Sequence, residues 1–279
     1  MQVIENISGI GEIISALKRE GMTVGFVPTM GALHKGHISL LRRAREENGK
    51  VVCSIFVNPT QFNNPNDLRN YPRNFEEDRL MLDNEGCDLL FFPTEKEMYP
   101  VKDTTIYDLG RLDETMEGMH RPGHFNGVAM VVKRLFEIVQ PHTAYFGEKD
   151  YQQLLIINHI TKFYKLGVRI IPCPTLREPD GLAMSSRNSL LSHSERTIAH
   201  IIYDILKGIK EKAGKLSVNQ VKDWAETQFE KYPEFKKEYI EIADSGTLQP
   251  VTDWNNKNIR VFAAINLGNV RLIDNIKLF

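Results

Sequence analysis

Residues 22–44 read MTVGFVPTMGALHKGHISLLRRA. The run 22–27 is short, apolar and β-prone, which predicts a strand, and residues 28–36 are rich in chain breakers, which predicts a loop. A helical spacing of apolar side chains then begins, with Ile38, Leu41 and Ala44. The chain therefore passes from a strand through a loop into a helix within one short stretch.

The same alternation of short apolar strands with helices continues to about residue 175. Further strands are predicted at 51–57, 87–92, 143–146 and 168–173, and helices at 10–20, 75–85, 127–139 and 151–166. This pattern is typical of parallel βαβ units in an α/β domain, with helices on both faces of the sheet. Ligands bind such sheets outside the carboxyl ends of the strands, where strand order reverses. We therefore expect the chemistry in the loops that follow the strands.

The pattern changes after residue 175. Two capping boxes, SHSE at 192–195 and SVNQ at 217–220, predict helices that end near residues 212 and 231. Three strand-like runs follow, at 238–243, 260–265 and 269–276. We therefore expect two domains, an α/β domain at residues 1–175 and a smaller α+β domain at residues 176–279.

The composition is that of an ordinary soluble globular protein: 279 residues, 42% of them hydrophobic and 25% charged. With 35 Lys and Arg against 36 Asp and Glu, the chain has no overall basic character that would favour nucleic acid. No apolar run approaches the ~18 residues of a membrane span, and the start lacks the pattern of a signal peptide. Cys53, Cys87 and Cys173 lie in or beside apolar stretches and are predicted to be buried thiols in a reducing compartment. We expect a cytoplasmic protein with no nucleic-acid or membrane partner.

The loop at residues 28–37, PTMGALHKGH, is the first candidate site. Gly31 and Gly36 allow the backbone to approach a ligand closely. His34 and His37 are three residues apart at the start of a helix, so they can face the same way. The positive end of the helix favours an anion, and two imidazoles add donors for phosphate oxygens. A helix cap with two incidental histidines is the alternative interpretation.

Neutral amides follow the second of these strands, in the stretch FVNPTQF at residues 56–62. Asn58 and Gln61 can hydrogen-bond a hydroxy acid without adding charge. For Asn58, a purely local role in the turn with Pro59 is an equally good interpretation.

Two later segments add donors that suit a polyphosphate. FGEKDYQQ, at residues 146–153, contains Lys149 and, one helical turn later, Gln153. LREPDGLAMSSRN, at residues 176–188, contains Ser185, Ser186 and Arg187. A solvated charged loop and an ordinary interdomain linker are the alternatives for the two segments.

A fifth stretch, HRPGHFNGV at residues 120–128, places Arg121 and His124 where they could line the same cleft. His120 and His124, together with His34 and His37, raise the alternative of a metal site. The sequence argues against it, because no His-Glu-x-x-His arrangement is present and no thiolate joins these histidines.

These motifs are similar to known ones. HKGH after a strand, with MSSR about 150 residues later, resembles the paired signatures of the nucleotidyltransferase superfamily. The fuller strings are GFVPTMGALHKGHISL, SIFVNPTQF, YPR, RPGHFNGV, FGEKDYQQL and REPDGLAMSSRN, with LIDNI near the C-terminus. Together they resemble the pantoate–β-alanine ligase family from about residue 22 to residue 190.

This resemblance implies a Rossmann-like domain followed by a smaller domain that acts as a lid. It also implies the reaction, in which ATP and pantoate give pantoyl adenylate and pyrophosphate, and the amine of β-alanine then displaces AMP. ATP is thus a co-substrate, Mg²⁺ bridges its phosphates, and pantoate and β-alanine are the other small-molecule partners. Members of the family are commonly homodimers.

The resemblance also implies the roles of individual residues. His37, His34 and Lys149 would be catalytic, through charge stabilisation as pyrophosphate leaves. The implied ATP-binding residues are Met30, Gly31, Ala32, Leu33, His34, Lys35, Gly36, His37, Gly147, Glu148, Lys149, Asp150, Leu176, Met184, Ser185, Ser186 and Arg187. The implied residues for pantoate and β-alanine are Gln61, Gln153 and Asn58, and Asp78 is the candidate near Mg²⁺.

Three other functions remain open on sequence alone. The HKGH and MSSR signatures by themselves would also suit another adenylyl- or cytidylyltransferase, or a nucleotide sensor without catalysis. The histidines leave a zinc hydrolase as the third. The uncharged amides of Asn58, Gln61 and Gln153 favour a neutral, hydroxylated acid as second substrate, and hence the ligase.

Overall fold

The computed structural model describes all residues, 1–279, and the chain divides into two compact units. The first unit comprises residues 1–148 and 153–174, and the second comprises residues 149–152 and 175–279. The sequence placed residues 149–152 in the first domain, whereas the structure groups them with the second unit.

The first unit is built on six strands and the helices that connect them. In chain order they are β1 (Gln2–Ile4), α1 (Ile7–Arg19), β2 (Val24–Thr29), α2 (Lys35–Glu47), β3 (Lys50–Ile55), a 3-10 turn (Pro59–Gln61), α3 (Pro65–Asn70), α4 (Phe75–Asn84), β4 (Leu89–Phe91), α5 (Glu95–Met98), α6 (Met116–His120), α7 (His124–Val139), β5 (Thr143–Gly147), a 3-10 turn (Glu148–Asp150), α8 (Tyr151–Phe163) and β6 (Arg169–Cys173).

The six strands form one parallel sheet in the order β1-β4-β3-β2-β5-β6. From β2 the chain moves outward on one side to β3 and β4, and it then returns to the other side of β2 with β5. The strand order therefore reverses between β2 and β5. The loops after these two strands leave neighbouring strands at the position where such sheets bind ligands.

Helices cover both faces of this sheet, as the sequence predicted. Successive residues of a strand point to opposite faces, and Phe26 and Val27 of β2 show both environments. Phe26 packs edge-on against Phe136 of α7, with 6.3 Å between ring centroids. Val27 belongs to a different cluster, which includes Leu41 and Ala44 of α2. The buried apolar runs of the sequence are thus explained by a sheet enclosed on two sides.

The structure also contains short elements that the sequence pattern did not reveal. The edge strand β1 pairs in parallel with β4, but it has three residues and only Ile4 is buried, which is too short to show a period. Helices α3, α5 and α6 have six, four and five residues, below the length at which helical periodicity is recognisable.

The second unit has its own sheet and its own core. Its elements are a 3-10 turn (Ser186–Leu190), α9 (His193–Ile198), α10 (Ile201–Lys212), α11 (Val218–Phe229), β7 (Phe235–Asp244), β8 (Ile259–Leu267) and β9 (Val270–Lys277). The strands form an antiparallel sheet in the order β7-β8-β9. Both capping boxes are present. The helix predicted after the first box is divided in two, because Ile202 and Tyr203 donate to the carbonyls three residues back rather than four.

The three cysteines are free and buried, as expected. Burial raises the pKa of Cys87 to about 12 and also raises the pKa of Cys53 and of Cys173. All three are therefore protonated thiols at neutral pH and poor nucleophiles. None of the helices combines the length and the apolarity that crossing a membrane requires.

The contact between α7 and the turn Pro59–Gln61 gives a stability prediction. A Cβ atom on Gly127 would lie 2.3 Å from the Thr60 carbonyl oxygen, so Gly127→Ala must displace backbone. We expect the free energy of unfolding to fall by about 1–3 kcal/mol, as for other overpacked sites. Urea unfolding would measure this.

Gly11 in α1 is the matched control, because a Cβ atom there would meet nothing within 4 Å. Gly11→Ala should stabilise the protein by about 0.5–1 kcal/mol through higher helix propensity. Equal urea midpoints for the two variants would show that the turn does not approach α7 as closely as described.

Candidate active site

The loop between β2 and α2 is tightly folded. Gly31 and Ala32 both have left-handed backbones, with φ of 84° and 49°. A Cβ atom on Gly31 would lie 3.0 Å from Asp78 Oδ2, so only glycine fits without displacing its neighbours. Ala32 pays a conformational cost in this geometry and needs an external contact to hold it there.

Asp78, from the first turn of α4, supplies that contact. It is buried, its Oδ2 accepts a hydrogen bond from the Ala32 N–H at 2.8 Å, and its Oδ1 accepts one from the Leu33 N–H at 2.7 Å. Burial raises the pKa of this carboxyl, and the two N–H donors oppose the shift. The contacts thus make Asp78 an anchor of the loop, a role that the sequence did not suggest.

The two histidines cap α2 with their side chains. His34 Nδ1 accepts from the Gly36 N–H at 3.1 Å, and His37 Nδ1 accepts from the His34 N–H at 3.3 Å. The rings lie 4.1 Å apart between centroids, and both residues are half-buried. Since Nδ1 is the acceptor in each ring, the neutral imidazole carries its proton on Nε2. That tautomer donates from Nε2, as hydrogen bonding to a phosphate oxygen requires.

Asn58 lies behind Gln61 and fixes it. Asn58 is fully buried, and its Nδ2 donates to Gln61 Oε1 and to the Gly127 carbonyl oxygen, both at 3.1 Å. Its Oδ1 accepts from the hydroxyls of Tyr99 and Thr60, at 2.9 and 3.0 Å. Both amide protons are therefore used within the protein. This geometry supports a structural role for Asn58, as its local interpretation allowed, and its contact with substrate stays a prediction.

Gln61 contacts both Asn58 and the loop between β2 and α2. Its Nε2 lies 3.0 Å from Met30 Sδ, and a thioether sulfur is only a weak hydrogen-bond acceptor. The Gln61 side-chain amide can therefore exchange this partner for a ligand oxygen at little cost. The contact brings together Met30, predicted to bind ATP, and Gln61, predicted to bind pantoate.

The backbone of Gln61 is held as well. His124 Nδ1 lies 2.8 Å from the Gln61 carbonyl oxygen, so this nitrogen donates. His124 Nε2 then accepts from Arg121 Nη1 at 3.1 Å, and Glu117 lies 3.8 Å from the same guanidinium nitrogen. The sequence indicated Arg121 and His124 as cleft residues, and the structure makes them supports of Gln61.

Tyr99 is a supporting residue that sequence reasoning missed. Its hydroxyl donates to Asn58 Oδ1, and burial raises its pKa to about 12, so the hydroxyl keeps its proton at neutral pH. Tyr99 is the C-cap that follows the four-residue helix α5, where no motif drew attention to it. Gln153 is half-buried and lies in α8. This helix follows β5, which is paired with β2 in the sheet.

In the second unit, the stretch from Leu176 to Arg187 is an ordered hairpin and cap. The Met184 N–H donates to the Leu176 carbonyl at 3.0 Å, and an isolated antiparallel bridge joins Arg177 to Ala183. Ser185 then caps the next turn, since its Oγ accepts from the Arg187 N–H at 3.3 Å. The segment is thus an ordered element of the second unit, and its contact with phosphate stays a prediction.

Lys149 and Ser185 line one small cavity in the second unit, together with Asn188. The Lys149 side chain is 16% exposed, and its Nζ lies 3.8 Å from Asp150 Oδ1. Two of the residues predicted to contact phosphate are thus neighbours. No group of three or more His, Cys, Asp or Glu side chains in the chain could hold a metal ion.

These features define a class of protein. A parallel sheet whose central strand leads through a glycine-containing loop into a helix capped by two imidazoles is the architecture of an α/β nucleotide-binding enzyme. The sequence model of the family described as pantoate-beta-alanine ligase matches residues 2–277. The chain belongs to that family and is therefore a ligase.

Individual relatives agree over the whole length. The chain is 45% identical over 278 residues to the pantothenate synthetase of Porphyromonas gingivalis and 46% identical over 278 residues to that of Bacteroides fragilis, and each alignment covers 99% of both chains. The crystal structure of pantothenate synthetase from Thermus thermophilus superposes with a TM-score of 0.93 at 45% identity, with 100% of both chains covered. Pantoate-beta-alanine ligase from Francisella tularensis, complexed with beta-gamma ATP and beta-alanine, has a TM-score of 0.84 at 39% identity, covering 100% of this chain and 98% of that chain.

The anchor of the loop gives the second prediction. In Asp78→Asn, one acceptor oxygen replaces two, so the N–H of Ala32 or Leu33 is left facing an amide donor. We expect the free energy of unfolding to fall by about 1–3 kcal/mol, the cost of a buried unsatisfied donor, and ATP to bind less tightly. Urea unfolding and equilibrium ATP titration would measure the two effects.

Asp83→Asn is the control, because Asp83 lies on the same helix but is exposed, and its carboxylate pairs with the N-terminal amine at 2.8 Å. It should leave both quantities almost unchanged. A loss of ATP affinity that is the same in both variants would contradict the anchoring role of Asp78.

Proposed function

We propose that this chain condenses pantoate with β-alanine at the expense of ATP, giving pantothenate, AMP and pyrophosphate by way of pantoyl adenylate. The observation that carries the proposal is the contact between Gln61 Nε2 and Met30 Sδ, which sets an uncharged amide beside the phosphate loop. Membership of the ligase family supports the reaction, and the Francisella relative supports ATP and β-alanine as substrates.

In the first step, a pantoate carboxylate oxygen attacks the α-phosphorus of ATP. A bond forms between that oxygen and phosphorus, and the bond from phosphorus to pyrophosphate breaks. Negative charge grows on the departing phosphates, and donors already in place stabilise it. The Nε2–H groups of His34 and His37 and the positive end of α2 are such donors in the first unit.

Residues of the second unit supply further charge stabilisation. Lys149 and Arg187 provide cations, and the hydroxyls of Ser185 and Ser186 provide donors for phosphate oxygens. Leu176 and Met184 line the nucleotide by analogy with the family. By analogy with the family, the second unit would act as a lid that keeps water from a reactive acyl phosphate.

In the second step, the neutral amine of β-alanine attacks the acyl carbon. A carbon–nitrogen bond forms, the bond from the acyl carbon to the AMP oxygen breaks with AMP leaving as the anion, and the amine passes a proton to solvent. Gln61 and Gln153 orient the pantoyl group through hydrogen bonds to its oxygens, with Asn58 holding Gln61. No nucleophilic side chain is needed, because the mixed anhydride already has a good leaving group.

The side chains present suit a magnesium ion that arrives with the phosphates. Mg²⁺ is commonly held by substrate phosphates, waters and one or two carboxylates. Asp78 is the carboxylate assigned near it, and each of its oxygens retains a second lone pair beyond the N–H contact. When bound, the ion would neutralise phosphate charge. From the family we also carry over a homodimer and a cytoplasmic location.

The proposed reaction makes a direct prediction. Purified protein mixed with ATP, Mg²⁺, pantoate and β-alanine should release AMP and pyrophosphate in equal amounts, and omission of pantoate should abolish both. Omission of β-alanine should leave one turnover of pyrophosphate, because the adenylate then accumulates. Nucleotide consumption that does not depend on pantoate would rule out the ligase.

The pocket for pantoate gives a further prediction. Gln153→Ala should raise KM for pantoate by about tenfold, since a lost hydrogen bond to a bound oxygen leaves that oxygen unpaired, and it should change KM for ATP much less. Steady-state kinetics with each substrate varied in turn would show the difference. Gln228→Ala, in α11, is the control and should change neither value; equal weakening of ATP and pantoate by Gln153→Ala would contradict the assignment.

A further inference from the structure

The segment Lys149–Gln152 belongs to the second unit although the chain on either side of it belongs to the first. Its first residue is held by Asn275 of β9. Asn275 is buried, at 4% exposure, and its Nδ2 donates to the Lys149 carbonyl oxygen at 2.8 Å. A side chain 126 residues away thus fixes the backbone from which the Lys149 ammonium extends.

Asn275 is itself held on both sides. Its Oδ1 accepts from Arg260 Nη1, and its backbone N–H donates to Asp274 Oδ1 at 2.7 Å. The amide is therefore oriented with its nitrogen toward Lys149, because its oxygen faces the guanidinium. Exchange of the two amide ends would turn a donor toward a donor, which the arrangement does not permit.

A second set of contacts holds the segment two residues further along, at Tyr151. The Arg260 guanidinium carbon lies 3.9 Å from the centroid of the Tyr151 ring, within cation–π range. The ring of Phe262 lies 5.9 Å from the same ring. Strands β8 and β9 therefore hold the segment at Lys149 and at Tyr151, on both sides of Asp150.

These contacts from β8 and β9 matter most for Lys149, because a lysine acts as a point charge on a flexible four-carbon stem. The position of its ammonium depends on where the backbone starts. Gln153 is different, since the core of α8 fixes it: Leu154, Ile156 and Ile157 are buried. Loss of these contacts should therefore displace the Lys149 ammonium and leave the Gln153 side chain in place.

We propose that Asn275 is a positioning residue for ATP: through the Lys149 carbonyl it sets where the Lys149 ammonium meets the phosphates. This inference rests on the proposed phosphate role of Lys149. It assigns a task in nucleotide binding to β9, whose residues 272–276 stood out in the sequence without a function.

Binding measurements with two probes test the role. Asn275→Ala and Asn275→Asp should each weaken a non-hydrolysable β,γ-substituted ATP analogue by about fivefold or more, because contacting residues couple strongly. Adenosine, which lacks phosphates, should bind within about twofold of the wild-type protein, and KM for pantoate should be equally unaffected. Asn275→Asp preserves the size and the acceptor for Arg260 but offers Lys149 no donor, so it separates the hydrogen bond from packing.

A double-mutant cycle identifies the route. Lys149→Ala alone should weaken the analogue, and addition of Asn275→Ala to it should cause less than about twofold further loss, because the residue through which Asn275 acts is gone. Ile265→Val, which removes one buried methylene from the same sheet away from the segment, is the control for stability. It should change neither probe in either background.

Each result has one meaning. If Lys149→Ala binds the analogue like the wild-type protein, the phosphate role of Lys149 fails and the inference falls with it. If Lys149→Ala is weakened but Asn275→Ala and Asn275→Asp are not, only the positioning role is overturned. Equal losses for adenosine and the analogue, or fully additive effects in the cycle, would also overturn it, since they would show general damage.

Discussion

The hydrogen bonds from Ala32 and Leu33 to Asp78 are the constraint on which the proposed nucleotide half of the site depends. A buried carboxylate is costly unless its oxygens are paired, and a left-handed alanine is costly unless something holds it. Here each satisfies the other. Because α2 begins directly after this loop, the same contact fixes the backbone from which His34 and His37 extend. The hydrogen bonds that their Nδ1 atoms accept then leave the proton of each neutral ring on Nε2.

The half of the site proposed to bind pantoate, with Asn58 and Gln61, is built on the same principle. Asn58 is buried and uses its amide protons within the protein, and Gln61, held by it, keeps only a weak sulfur partner. In both halves a buried polar side chain, Asp78 or Asn58, holds a neighbouring group in place through hydrogen bonds within the protein. Buried polar networks of this kind give rigidity when every member is satisfied. The Gln61 side-chain amide carries no charge, so it can hydrogen-bond a hydroxy acid without adding charge beside the proposed phosphate site.

Most strands and helices could be predicted from local sequence patterns. The apolar runs around Val27 and Tyr145 predicted buried strands, and the boxes at Ser192 and Ser217 predicted helix starts, because these signals lie within a few residues of one another. Local patterns could not predict contacts between residues that are distant in the chain and are brought together by the fold. The contact of Asn275 with Lys149 spans 126 positions and leaves no periodic trace. Asp78 was recognisable as an acid, but only the fold shows that its partners are backbone amides.

The chain passes between the two units after residues 148, 152 and 174. Neither unit is therefore a continuous piece of polypeptide, and a cut at the end of β6 would not divide the molecule into autonomous fragments. A recombinant fragment starting at residue 175 would lack the tetrapeptide that Asn275 and Arg260 hold, and would expose the sheet surface that the tetrapeptide covers. A chimaera that exchanges this unit between homologous enzymes would therefore have to exchange residues 149–152 together with residues 175–279.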